Sequence, residues 1–348
     1  MGAWRPGQLS LQMDHYIQPP SRRPNLNVER ANLPIIDMEL LNHSNPSRGL
    51  VIDNLGEACR RMGCFHVVNH GIRGCVMKGA LDAALDFFKQ AEEDTMGLMS
   101  DNVRMPVRFG ESFKSGSEDK VRSWRLFLKH YAHPLDHWVR LWPLKPPHYR
   151  EKMGNYAVEA RSLALKLLPP ILESLGLGPS YLKPKIEDGM QVMAVNCYPP
   201  CPRPDLVLGI PPHTDYGFLT VLLQGSHGLQ LMDPSTGIWT AASSSSLLIH
   251  LGDHLELLSN GMYRSVVHRA IVNAEEGRVS ISSVHGLGME EKVMVAEELV
   301  GEGNPRRYRE SSFGDFLDFL ESGDCGEGGG YKDTLRIGIY VKIKPKLP

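Results

Sequence analysis

Apolar and polar positions change their period along this chain, and the changes divide it. From Leu50 to Arg61 and from Cys75 to Ala91 apolar residues recur at helical spacing, while "CFHVVNHGI" between them alternates like a strand closed by a turn. The short apolar run "LPIIDM" predicts an earlier strand, and the Pro-, Arg- and Asn-rich residues before it read as a loose leader over 1–32. A mixed α/β region is therefore expected over 33–145. Within it, residues 103–142 are aromatic-rich and thick with His and Pro, which predicts an irregular loop layer covering something. A helical pattern follows from Tyr149 to Leu175 in a scaffold segment, 146–185, although Pro169-Pro170 should kink or break it.

After Lys185 the period drops to two. "MQVMAVNCY", "LTVLLQ", "GLQLMD", "SLLIHLGD", "LELLSN", "SVVHRAIV" and "RVSISSV" read as short strands with turns between them, filling a core over 186–300. So many short strands in about a hundred residues predict a sandwich, barrel or jelly roll. The final segment, 301–348, offers a helical "FGDFLDFLES", a Gly-rich linker at 322–330 and a closing strand "TLRIGIYVKI". The fold class expected is mixed α+β.

Composition narrows the function. An apolar content of 42% and a charged content of 22% over 348 residues are those of a globular protein with a sizeable core. A net charge of −2 leaves no basic surplus for phosphates, so nucleic acid is excluded as a partner. No window is apolar enough for a membrane span, the first residues lack a signal-peptide core, and Pro6 stands where a myristoylation signal needs Ser or Thr. The six cysteines lack framework spacing and read as reduced thiols of a cytoplasmic protein, and the Pro-Pro between Cys197 and Cys201 disfavours zinc.

The chemistry lies in polar dyads two residues apart, because such pairs share one face of a strand. In "PPHTDYGFLTVLLQ", His213 and Asp215 project together, a chelating pair lacking one ligand. His268 in "SVVHRAIV" is an imidazole carried inward among small apolar groups and supplies that third ligand, completing a facial triad suited to non-haem Fe(II). In "RVSIS", Arg278 and Ser280 share a face, and an inward guanidinium with a hydroxyl beside it makes a socket for a carboxylate. In "VNCYPPC", Asn196 and Tyr198 are two polar groups on one face of an apolar strand. A metal at one depth of a barrel and an anion socket at another point to a dicarboxylate bridging the two.

These motifs, with "NCYPPCP", "GLQL", "GDHLELLSNGMYRSVVHRAIVN" and the N-terminal "LPIIDM" and "GCFHVVNHGI", cover most of residues 33–340 in order. The sequence resembles the plant 2-oxoglutarate and Fe(II)-dependent dioxygenases, the group that includes flavanone 3-dioxygenases. The resemblance implies a double-stranded β-helix, or jelly roll, flanked by N- and C-terminal helical elements. It implies Fe(II) on His213, Asp215 and His268, with 2-oxoglutarate held by Arg278 and Ser280 and assisted by Tyr198 and Asn196. O2 is the further co-substrate and ascorbate the expected reductant. The implied reaction releases succinate and CO2 while a substrate C–H is hydroxylated or a double bond formed. His66 and His70, beside the "VVNHG" turn, are expected to be structural.

The expected partner is a small-molecule substrate bound to a monomer, under the loop layer and the C-terminal helix. Phe109, Phe127, Tyr131, Tyr216 and Phe316 are the candidates to line its place. Aromatics with few charges favour a flat apolar or phenolic metabolite of flavonoid type, with salicylate-, gibberellin- or indole-type hormones and phenolic acids as the alternative. An oxidase that dispenses with 2-oxoglutarate would not need Arg278 and Ser280, and a non-catalytic binding protein would not need all three metal ligands.

Overall fold

The computed structural model describes residues 13–90, 92–111, 121–322 and 330–338. Twelve strands among them form two sheets. They are β1 Ile35–Asp37, β2 Cys64–Val68, β3 Val107–Gly110, β4 Leu126–His133, β5 Gln191–Tyr198, β6 Ile210–His213, β7 Leu219–Gln224, β8 Leu229–Met232, β9 Trp239–Ala241, β10 Leu247–Leu251, β11 His268–Ala270 and β12 Arg278–His285. The larger sheet runs β1-β2-β10-β7-β12-β5-β4-β3 and the smaller β6-β11-β8-β9. Only β1–β2 is parallel; the other pairs are antiparallel.

Strand alternation sorts the large sheet into two faces. Register aligns Leu128 with Val195, Val195 with Ile281, Ile281 with Leu223 and Val221 with Ile249, and all of these lie in the main apolar core. That core is closed by helices α1 (Arg48–Arg61), α2 (Gly74–Phe88) and the long helix Tyr149–Ser174. The opposite face carries Lys129, Ala194, Ser282, Leu222 and Leu248 in register. On it Leu222 and Leu248 meet Leu229 and Leu231 of the smaller sheet in a second, smaller cluster. The two sheets thus enclose a polar-lined interior, the jelly-roll arrangement.

Several elements differ from the sequence reading. The described part of 103–142 is not a loop layer: β3 and β4 extend the large sheet there, and residues 112–120 lie outside the described residues. Pro169 and Pro170 do not break the long helix, whose flanking Leu167, Leu168, Ile171 and Leu172 are buried in the main core. Packing of that face outweighs the backbone hydrogen bonds that proline removes. "LELLSN" lies in the short helix Asp253–Leu258 and the turn after it, not in a strand. Burial of all six helix residues explains the continuous apolar run, which periodicity alone cannot assign.

The leader is not loose over 13–32: Tyr16 is fully buried edge-on to Trp124, and the Gln18 N–H donates to the Leu206 carbonyl at 2.8 Å. Thr334 closes a short helix, Tyr331–Thr334, so "TLRI" is not strand, and residues 339–343 of that motif lie outside the described residues. No helix among those described is long and apolar enough to cross a membrane. His66 exchanges a hydrogen bond with the Ser246 hydroxyl at 2.9 Å, and His70 Nδ1 accepts from the Ile72 N–H at 3.1 Å, both structural contacts.

Candidate active site

His213 ends β6 and His268 begins β11, and the two strands pair with these residues opposite each other. Their rings are 4.2 Å apart. Asp215 lies beyond the end of β6, so the "HTD" dyad does not share one strand with "FLTVLLQ"; β7 begins at Leu219, in the other sheet. The turn after β6 nevertheless brings the carboxylate back, with Asp215 Oδ1 3.8 Å from His268 Nε2. One ligand atom from each of the three residues lies within 4.8 Å of the others.

Each imidazole is oriented by its own backbone. His213 Nδ1 is 2.9 Å from the Pro211 carbonyl and His268 Nδ1 3.1 Å from the Val266 carbonyl. A carbonyl only accepts, so Nδ1 carries the proton in both rings and Nε2 is free to bind a cation. Burial lowers the pKa of both histidines and keeps them in that neutral, ligating form. For Asp215 burial acts the other way, but His268, His250 and His213 outweigh it and hold the carboxyl well below the usual carboxylate range. Two neutral imidazoles and one ionised carboxylate make the donor set that suits non-haem Fe(II).

The sequence reading missed His250. It projects inward from β10, its ring 4.5 Å from that of His268, with Nδ1 3.6 Å from Asp215 Oδ2. It was legible by the argument used for His268, as a lone histidine in the apolar strand "LLIHL".

The anion socket assembles on the same interior face. Register sets Arg278 opposite Tyr198 and Ser280 opposite Asn196 and Gln224. Arg278 lies 4.9 Å over the Tyr198 ring; its Nη2 donates to Gln224 Oε1 at 2.9 Å and its Nε to the Ser226 carbonyl at 3.2 Å. Nη1 is buried with no hydrogen-bond partner, and burial lowers the guanidinium's pKa. A carboxylate satisfies that orphaned donor, so the socket fits one end of 2-oxoglutarate. Two glycines leave room for it. A Cβ on Gly209 would stand 2.6 Å from the Tyr198 ring, and one on Gly228, whose φ is +141°, would stand 2.8 Å from Arg278 Cδ. Asn196 is already engaged, its Oδ1 accepting from Arg125 Nη1 at 3.0 Å. Gln224 and Arg125 are further residues the sequence reading passed over.

Four of the five aromatic candidates face the interior or its mouth. Phe127 lies beneath the guanidinium groups of Arg108 and Arg125, at 5.0 and 5.1 Å from its ring centre. Tyr216, next to Asp215, stacks on Phe313 at 4.5 Å and on Phe316 at 4.6 Å, and Tyr131 meets Phe313 edge-on. Phe109 is the exception: register with Leu128 turns it to the helical face, where it packs on Phe87 and Phe88. Phe313, the first residue of the helix Phe313–Ser322, joins the lining in its place.

Residues 189–286 match the family model of the 2OG-Fe(II) oxygenase superfamily, and residues 33–148 match that of the non-haem dioxygenase in morphine synthesis N-terminal region. The chain is 48% identical over 335 residues to the rice (Oryza sativa subsp. japonica) 2-oxoglutarate-dependent dioxygenase 21, chloroplastic, covering 95% of this chain and 98% of that one. It is 42% identical to flavanone 3-dioxygenase 3 of the same plant, over 92% and 98% of the two chains. The crystal structure of JOX2 in complex with 2OG, Fe and JA superposes with a TM-score of 0.80 at 30% identity, covering 90% of this chain and 91% of that one. The chain belongs to the 2OG-Fe(II) oxygenase superfamily and is a 2-oxoglutarate-dependent dioxygenase of the plant type, working with Fe(II), 2-oxoglutarate and O2.

Proposed function

We propose that the chain hydroxylates or desaturates a small planar aromatic metabolite of flavonoid type, as a monomer in the cytoplasm. Fe(II) would be held by His213, Asp215 and His268, and the far carboxylate of 2-oxoglutarate by Arg278 and Ser280 with Tyr198 and Asn196 beside them. Bound there, iron would supply the O2 chemistry that couples decarboxylation of 2-oxoglutarate to substrate oxidation. The observation that carries the substrate class is the stack of Tyr216 on Phe313 and Phe316 directly beside Asp215. Flat rings present a surface for another flat ring. The protein's own contribution is to orient both histidines through their Nδ1 hydrogens, anchor the co-substrate, and bring a ring system against the metal face.

The test is turnover of purified protein with Fe(II), ascorbate and 2-oxoglutarate across flavonoids, phenolic acids and plant hormones, following succinate and the product mass. A gain of one oxygen or a loss of two hydrogens on a flavonoid is expected. Succinate released with only non-aromatic members of the panel would overturn the reading.

His250 gives a second expectation. It stands beside the Asp215 carboxylate from outside the ligand set, and such neighbours of a ligand tune metal affinity. At 3.6 Å the contact is longer than a hydrogen bond, so His250→Ala should weaken Fe(II) binding by about 10-fold, the low end for such partners. Competition against a chromogenic chelator measures it, and unchanged affinity would remove His250 from the site.

A further inference from the structure

Lys129 is a cation of this interior whose role neither the iron nor the co-substrate explains. Its position opposite Arg108 in β3 and Ala194 in β5 puts it on the inward face, between Phe127 and Tyr131. Its Nζ donates to the Val103 carbonyl at 2.8 Å and lies 5.0 Å from the centre of the Tyr131 ring and 5.8 Å from that of Phe313. An ammonium has three donors, and the carbonyl uses one. Burial, with the like charge of Arg108 added, pushes its pKa down to about 7, and no acidic group among the described residues acts to raise it. A lysine so placed keeps its proton most simply where an anion arrives with the ligand.

The arriving anion would lie close to the reacting face. Asp215 is followed by Tyr216, Tyr216 stacks on Phe313, and Phe313 covers Lys129. One ring therefore separates the lysine from the turn that carries the candidate metal ligand. The loop that receives the Lys129 hydrogen bond is itself fastened down, because Arg104 pairs with Asp318 and, at 3.3 Å, with Glu321 on the helix that carries Phe313 and Phe316. Ammonium and rings are thereby held as one unit.

We propose that Lys129 is a specificity residue whose ammonium receives an anionic oxygen of the substrate, a carboxylate or an ionised phenol borne on a planar ring, while Tyr216, Phe313 and Phe316 take the ring. The inference rests on the aromatic substrate class proposed above and adds the charge. Binding rather than turnover separates the two. Calorimetry without O2, on protein loaded with Fe(II) and 2-oxoglutarate, compares aromatic acids with their methyl esters and flavonoid phenols with their methyl ethers. The anionic member of at least one pair should bind about 10-fold or more tightly than its neutral partner. The acid–ester and phenol–ether arms tell which anion is meant.

Lys129→Met should abolish that preference while 2-oxoglutarate affinity and the melting temperature are maintained, and Lys129→Arg should keep it. Equal binding of both members in every pair by the unmodified protein, or equal weakening of both by Lys129→Met, would overturn the proposal. Anion preference that persists with no aromatic turned over would overturn the substrate reading instead and leave the lysine assignment standing.

Discussion

Asp215→Ala is expected to lower Fe(II) affinity by more than about 100-fold and to remove succinate production with any substrate. Loss of an outer partner of a ligand typically costs about 10- to 100-fold in metal affinity, and removing a ligand must exceed that. Asp215 is also the one anion of the three, its carboxyl held ionised by His268, His250 and His213 against the effect of burial. Without it, buried neutral imidazoles would face a divalent cation with no compensating charge. The fold should survive the change, because what Asp215 gives the scaffold is its backbone carbonyl, which accepts from the Asp253 N–H at 2.7 Å. Chelator competition measures the affinity, and circular dichroism with a melting curve checks the scaffold. Full succinate production by a folded Asp215→Ala protein would end the assignment of this residue to the metal.

The site was more legible than the scaffold around it, for a physical reason. Alternation on a strand is local, so the pairings of Arg278 with Ser280 and of Asn196 with Tyr198 on one face needed no knowledge of the neighbours. Histidine and aspartate two apart were also drawn together, but by a turn that leaves the strand after His213, which local spacing does not encode. Elements decided by distant packing were the ones misread. β4 reads as irregular because Lys129, His130 and His133 interrupt its apolar run. It is a strand because β3 and β5 pair with it on both sides. Hence Lys129 was passed over, and Phe109 was assigned to the wrong face. The buried short helix Asp253–Leu258 carries apolar residues in too short a run for its period to show.

Arg278→Gln should raise the KM for 2-oxoglutarate by at least about 30-fold, since truncating one partner of a buried, hydrogen-bonded charge pair costs roughly 2–5 kcal/mol. The neighbourhood leaves little to replace the guanidinium. Gln224 already accepts from Arg278 Nη2, Asn196 Oδ1 is committed to Arg125, and the Tyr198 ring lies against the arginine plane. A shorter amide keeps some polarity at the position but neither the positive charge nor the donor left open at Nη1. Because Arg278 sits on β12 whereas the candidate metal ligands lie on β6, β11 and the turn after β6, Fe(II) affinity should change little. The KM for the oxidised substrate should likewise move far less than that for the co-substrate. Steady-state rates at varied 2-oxoglutarate, repeated at varied substrate, separate these effects. A variant whose two KM values rose together would place Arg278 in the scaffold rather than at the co-substrate carboxylate, since a collapse of β12 disturbs both sites and loss of one charge disturbs one.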